Sequence, residues 1–385
     1  MPQRSNIITI LVLTVLAALL GYNYFFQPFQ RQQEDMLIEE SAPVDALTSQ
    51  TQQLLDSLTA RQKVMQLLAV PLDLSVAKAT PAAQMRQLIA AETPGMVTLF
   101  GTAIPRATAE TEIAAIKAPT ATGGKIWVAV DHEGGTVQRL SGEGFTSLPS
   151  WQSLCSQSAT ASAQLVSTSA RELASAGVDM VLAPVVDIAN QNNVLRSRVC
   201  SSNGLLVAER TADFVAAMQQ QKITPVLKHF PGIGKTTRDL HTSFDRVEVQ
   251  TVDAVFYRQL LTQLPNVAVM VSHVGVTNQY PDIPCSLSTA CVGELKVNFP
   301  ETLIITDALD MASARFSPDS AQPLSLPFVT YEAIKSGNDI ALFGPTLTAP
   351  EIEEIAVYLA QKYESDPVFK ERVNKSLEKI IRLKQ

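Results

Sequence analysis

Cysteine is scarce in this chain. There are four in 385 residues, at positions 155, 200, 285 and 291, and no C-x-x-C pair. That count excludes a disulfide-dense scaffold, and the missing pair argues against a structural zinc site. Basic residues are also outnumbered: 30 Lys and Arg stand against 37 Asp and Glu, for a net charge of −7 and a pI near 5.3. A nucleic-acid binder needs a basic stripe to displace counterions, so that class is excluded. Charged residues make up 17% and hydrophobic residues 46% of the chain, a balance that excludes wholesale disorder. H-E-x-x-H, a D-x-D-x-D-G loop, a P-loop and a G-x-G-x-x-G after a strand are all missing. Metal and nucleotide chemistry therefore lack their usual carriers.

The first segment that is present is an apolar run. Ile7 to Phe26 reads IITILVLTVLAALLGYNYFF, uncharged and about as long as a bilayer core requires. Arg4 precedes it, and Glu34, Asp35, Glu39 and Glu40 follow, a bias that favours a cytoplasmic N-terminus and an exported body. Tyr22, Tyr24, Phe25 and Phe26 suit an interfacial belt. The alternative is a cleaved signal peptide, although no clear A-x-A site follows the run. The expected organisation is a membrane anchor or signal over 1–26, a polar linker over 27–57 with a first helix around 47–60, and a catalytic body over 58–385. The expected location is membrane-anchored, with the body extracytoplasmic.

The body alternates short apolar runs with helix-period stretches such as Ala161–Ala176 and Gly204–Gln221. Eight runs read as strands: Gln66–Leu72, Gly95–Phe100, Ile126–Asp131, Asp179–Asp187, Ile223–His229, Val267–His273, Thr302–Asp307 and Asn338–Phe343. Helical connections imply parallel, buried strands, and eight such units fit a (β/α)8 TIM barrel. A doubly wound open sheet is the structural alternative. The barrel demands that chemistry cluster at the C-terminal strand ends. Asp131, Asp187, Lys228-His229, Ser272-His273 and Asp307 all stand there. Of the four histidines, 132, 229 and 273 lie at strand ends and 241 lies in the loop after the fifth strand.

Each candidate has a chemical rationale. Asp131 is followed by His132-Glu133-Gly134-Gly135, where the glycines permit a sharp turn and leave the carboxylate at the mouth. Arg139 is close enough to share that pocket, and such a pair suits sugar hydroxyls as well as a loop cap. In LKHFPGIGKTTRDLHTSF, Lys228 and His229 leave the strand together and Pro231, Gly232 and Gly234 build an irregular loop. Asp239 and His241 stand two apart on it. In an extended segment they would face one side, so the carboxylate could orient the imidazole as an acid/base. Asp307 emerges from the dry run LIITDALDM, a setting for a nucleophile or for a helix cap.

Taken together, the motifs resemble glycoside hydrolase family 3 over about residues 60–345, nearest to its single-domain bacterial β-N-acetylglucosaminidase branch. The resemblance implies that Asp131, in V-D-x-E-G-G-x-V-Q-R, holds the sugar's distal hydroxyls with Arg139. It places a further arginine at Arg198 in LRSRVCSSN, and sugar contacts at Lys228 and His229 in the intact K-H-F-P-G. The nucleophile falls at Asp307 and the unusual D-x-H acid/base dyad at Asp239 and His241. The sequence departs from the family pattern in four places. Ile233 replaces the usual second histidine, His132 stands where glutamine is usual, Thr242-Ser243-Phe244 replaces the common Leu-Pro, and the stretch around Arg198 is degenerate.

The resemblance implies a retaining glycosidase releasing terminal β-linked N-acetylglucosamine, with peptidoglycan fragments as the source and a small carbohydrate or muropeptide as substrate. No metal, organic cofactor or nucleic acid is implied, and the only membrane contact expected is through the N-terminal segment. Glu133 and Asp187 are the alternative acids. An N-acetylglucosaminide phosphorylase and a non-catalytic membrane-tethered wall-binding barrel are the rival functions. Cys285 and Cys291 flank a short loop that could close as a disulfide.

Overall fold

The computed structural model describes residues 52–75, 80–119, 124–189, 193–248, 251–277 and 279–385. The apolar run Ile7–Phe26 and nearly all of the linker lie outside them. Among the described residues no helix is long and apolar enough to cross a membrane. The expected first helix is represented by 52–57, and a second, Ala60–Met65, starts after a Thr59–Gln62 capping box.

Eight parallel strands close into a barrel: β1 (Leu68–Asp73), β2 (Met96–Phe100), β3 (Trp127–Val130), β4 (Met180–Val181), β5 (Thr224–Phe230), β6 (Ala268–Val271), β7 (Leu303–Ala308) and β8 (Ile340–Leu342). Each pairs with its neighbours in sequence, and β1 closes on β8 through Leu68↔Ala341 and Ala69↔Leu342. All eight expected runs therefore contribute a strand, and the open-sheet alternative is overturned. The largest difference lies in β4. Nine residues read as strand, but only Met180–Val181 pair regularly, with an isolated bridge at Val185↔Lys228. Pro184 has no N–H to give to a ladder, so apolarity alone overstates the strand there.

The crossover helices are α1 (Thr80–Glu92), α2 (Arg106–Ile116), α3 (Ala159–Ala176), α4 (Gly204–Gln219), α5 (Thr251–Gln263), α6 (Thr289–Asn298), α7 (Leu326–Ser336) and α8 (Ala349–Ser365). In α3 the local signals agree with the packing. Ser158 caps its first turn by accepting from the N–H of Ala161, and Gly177 ends it at φ 92°, a left-handed conformation glycine adopts without a Cβ penalty. Val166, Ala170 and Leu173 form its buried stripe. Truncating Leu173 to alanine would cost about 2–5 kcal/mol on the usual scale for buried leucine.

A last helix, Pro367–Leu383, packs across the outer layer and is pinned by a buried acid. Asp339, at the entrance to β8, accepts from Arg372 (2.6 Å), Lys379 (2.9 Å), the Ser376 hydroxyl (2.8 Å) and the N–H of Ile304 (3.0 Å). Burial alone would raise its pKa, but Lys379 and Arg372 hold it below the ordinary carboxylate value.

Candidate active site

The C-terminal strand ends surround a cavity of about 600 Å³. Its wall includes Asp131, Arg139, Arg198, Lys228, His229, Asp239, His241 and Asp307, so the eight residues read from the sequence as catalytic or sugar-binding lie at one mouth. Two register shifts help to place them. Between Leu227 and Phe230 the pairing of β5 with β6 slips, and between Ile305 and Ala308 that of β7 with β8 slips. In a regular strand Lys228 and His229 would face opposite sides. The irregularity re-aims them, and both line the cavity. Asp307 sits in the second shift.

One side of the cavity is a charge network. Asp131 accepts from Arg139 and from Lys228 Nζ, each at 3.1 Å. Lys228 Nζ also meets Glu133 at 2.6 Å, and Arg198 grips Glu133 bidentately at 2.8 and 2.9 Å. Burial would raise the Glu133 pKa, but Lys228 and Arg198 bring it down to about 2. Glu133 is thereby held as a structural anion, which removes it as an alternative acid. The hairpin carrying it, His132–Gly134 with Val137–Gln138, turns through Gly134 at φ 91°, where a Cβ would meet the Pro149 carbonyl at 2.2 Å.

Asp187 is the other alternative acid, and it too is committed. It accepts from the His229 N–H (3.1 Å), the His229 ring Nδ1 (2.7 Å) and the Ile233 N–H (2.7 Å). An ionised carboxylate only accepts, so the ring proton sits on Nδ1. His229 Nε2 faces the Arg198 guanidinium at 3.4 Å.

Asp307 is half-buried, and its Oδ1 accepts from the N–H of Ala308 at 2.8 Å. Burial would raise its pKa. His229, His273 and that N–H outweigh burial and leave it below the usual carboxylate value. His273 is buried beneath the mouth, with Nδ1 2.7 Å from the Ser286 hydroxyl and Nε2 3.0 Å from the Ala308 carbonyl. It supports the Asp307 strand end and does not itself line the cavity.

The Asp239–His241 pair forms, but through different local geometry. The segment is a turn, with the Thr242 and Ser243 N–H groups donating to the Asp239 carbonyl at 3.1 and 3.0 Å, and not an extended stretch. Asp239 Oδ1 accepts from both the N–H of His241 (3.0 Å) and its ring Nδ1 (2.8 Å). The His241 N–H bond, outweighing the slight burial, lowers the Asp239 pKa. The proton on Nδ1 leaves Nε2 as the exchangeable nitrogen of His241.

His132 corrects the expectation that the strand-end histidines gather at the mouth. It is fully buried, with Nε2 2.6 Å from the Ser169 hydroxyl of α3, outside the cavity lining. Burial pushes its pKa down to about 4. Two linkages were not read from the sequence. Glu133 belongs to the Asp131 motif itself, and the sequence marks it only as a spare acid. The Cys155–Cys200 disulfide joins positions 45 apart, a separation without a local signal. The second disulfide, Cys285–Cys291, forms as expected, with Cα atoms 5.3 Å apart. No cluster of His, Cys, Asp and Glu suited to a metal occurs among the described residues.

The model of the Glycosyl hydrolase family 3 N terminal domain matches residues 59–383. Beta-hexosaminidase A of Pseudoalteromonas piscicida is 29% identical over 294 residues, covering 67% of this chain. The chain spans about half of that relative's length, 47%. Among solved structures, LpqI of Mycobacterium tuberculosis superposes with a TM-score of 0.74 at 25% identity, covering 86% of this chain and 95% of that one. A β-N-acetylhexosaminidase from Beutenbergia cavernae gives 0.73 at 26% identity, covering 85% and 98%.

Proposed function

Because the chain belongs to glycosyl hydrolase family 3, we propose that it is a retaining β-N-acetylhexosaminidase that releases terminal β-linked N-acetylglucosamine. One observation carries the reading. An ionised, strand-end Asp307 and a His241–Asp239 pair line the same 600 Å³ cavity, and the competing carboxylates Glu133 and Asp187 are fully engaged elsewhere. The relatives named β-hexosaminidase support the same substrate class.

In this mechanism Asp307 attacks the anomeric carbon as the bond to the aglycone breaks. His241 gives its Nε2 proton to the departing oxygen. Water then attacks the glycosyl ester, His241 takes the proton, and Asp307 leaves as a carboxylate. Asp239 holds the imidazole and stabilises its charged form. Asp131, Arg139, Arg198, Lys228 and His229 hold the sugar. Peptidoglycan fragments are the proposed source, and the body is proposed to be extracytoplasmic behind Ile7–Phe26. The two disulfides support an oxidising compartment.

The test compares chromogenic β-N-acetylglucosaminide, β-glucoside and β-xyloside, each with and without phosphate. Preferential release from the first, with retention of configuration, is expected. Preference for another sugar would overturn the substrate class. Acceleration by phosphate with a sugar 1-phosphate product would make the protein a phosphorylase. Failure to release N-acetylglucosamine from purified muropeptides would remove peptidoglycan as the source.

A further inference from the structure

Arg198 belongs to neither a barrel strand nor a crossover helix. It ends a three-residue 3-10 turn, Arg196–Arg198, in the irregular connection between β4 and α4. Two backbone hydrogen bonds hold the turn, from Arg198 N–H to Leu195 O and from Val199 N–H to Arg196 O. Arg196 adopts φ 52°, a left-handed conformation that a non-glycine residue keeps only when its surroundings impose it. Cys200 follows directly and is bonded to Cys155.

The other end of that bond is firmly set. Cys155 lies in the short helix Trp151–Ser156. Trp151 Nε1 donates to the Val185 carbonyl at 2.8 Å, and the indole meets Phe214 edge-on at 5.7 Å. At the far end, buried Arg210 of α4 donates to the carbonyls of Cys155 (3.4 Å) and Gln157 (3.2 Å). The helix is thus a post anchored to the barrel wall and to α4. The disulfide ties the backbone of the Arg198 turn to this post, while Glu133 holds only the end of its side chain.

We propose that Cys155–Cys200 is the positioning element for Arg198, setting its place in the sugar pocket and making substrate affinity dependent on the redox state of this one bond. A pocket of about 410 Å³, lined by Gln152, Cys155, Cys200 and Ser201 among others, lies beside the disulfide and gives a small dithiol a route to it. Reduction transfers two electrons and two protons to the cystine. Two thiols form, and the dithiol closes to its own cyclic disulfide. Arg198 then keeps its charge and its partner Glu133 but loses the fixed backbone that aims the pair. A binding group loosened in this way weakens ground state and transition state alike, which raises KM and leaves kcat nearly unchanged.

The inference rests on the glycosidase reading for its kinetic readout, so the experiment carries a second readout that needs no activity. KM and kcat are measured for the folded wild type before and after dithiothreitol, with mass spectrometry counting the reduced cysteines, and for Cys155→Ser/Cys200→Ser and Arg198→Ala under both conditions. Reduction of the wild type should raise KM about tenfold with kcat within about threefold. It should do nothing further to the double serine variant, which retains Cys285–Cys291, and little to Arg198→Ala. Amide exchange across 196–200 should quicken in parallel. If the double serine variant does not fold, the reduced wild type still decides. An unmoved KM with Cys155 and Cys200 reduced overturns the proposal, as does an equal KM rise in Arg198→Ala. Absence of any glycosidase activity defeats the functional reading instead, and exchange protection at 196–200 that survives reduction then defeats this one independently.

Discussion

The carbonyl of His241 accepts a hydrogen bond from the N–H of Ala312 at 3.2 Å, which joins the dyad loop to the segment that follows Asp307. Beside it, Leu240 O accepts from the Ser313 N–H at 3.2 Å. Phe244 stacks on Phe316 with ring centroids 4.1 Å apart, and the Arg246 guanidinium lies over both rings. The loop that carries the dyad is docked here against the Asp307 strand end. The relative placement of His241 and Asp307 is therefore set by loop–loop contacts.

His241 as general acid leads to a leaving-group test. His241→Ala should slow glycosylation from a poor aglycone by about 10²–10⁴-fold and affect a dinitrophenyl leaving group far less. Asp239→Asn should slow the same step, because the imidazole loses the carboxylate that orients it. Equal losses for good and poor leaving groups in single-turnover assays would make His241 a binding residue.

As the proposed nucleophile, Asp307 must be ionised to attack. Burial opposes this, but His229, His273 and the Ala308 N–H hold its pKa below the ordinary value. The acid limb of kcat/KM should therefore fall below about pH 4, the unperturbed carboxylate range. A 5-fluoro N-acetylglucosaminyl fluoride, which keeps the acetamido group at C2 and loses fluoride from C1, should esterify Asp307 and no other carboxylate, as peptide mapping would show. Labelling elsewhere would displace the nucleophile.

His132 should make the fold acid-sensitive. Its pKa falls from 6.5 to about 4 because burial disfavours the charged ring. Between those values the unfolded chain binds a proton that the folded chain refuses, so stability drops as pH falls through this window. The full loss is about 3 kcal/mol on the scale of 1.36 kcal/mol per pH unit. His273, also lowered by burial, adds in the same direction. Thermal melts of His132→Gln at pH 7 and pH 4.5 should show a smaller gap than the wild type. An unchanged gap would clear His132.

Asp339 ties β7 and β8 to the last helix. Lys379→Ala leaves its buried charge underpaired and should cost about 3–5 kcal/mol, read as a fall in Tm or in the denaturant midpoint. Because the folded pKa of Asp339 is depressed, its contribution is complete above the unfolded value near 3.9 and disappears as pH falls through the lower folded value. Activity per folded molecule should hold, since Asp339 stands at the strand's opposite end.

Sequence alone determined the barrel and the identity of its mouth. Period-2 and period-3.6 patterns are local, and parallel strands buried on both faces read as apolar runs, as AVMV in β6 does. Polar residues that end such runs face the mouth by topology, so Asp131, Lys228, His229 and Asp307 were legible. Only the tertiary structure decided what each of them does there. The slips in β5 and β7 depend on pairing with β6 and β8, which no single strand encodes. The same holds for the commitment of Glu133 to Arg198 and Lys228, the docking of the His241 carbonyl on the Ala312 N–H, the burial of His132 behind Ser169, and the bond from Cys155 to Cys200. Each is a contact between residues distant in the chain, or a choice of face, and side-chain direction at a strand end follows from neighbours that only the closed barrel brings together.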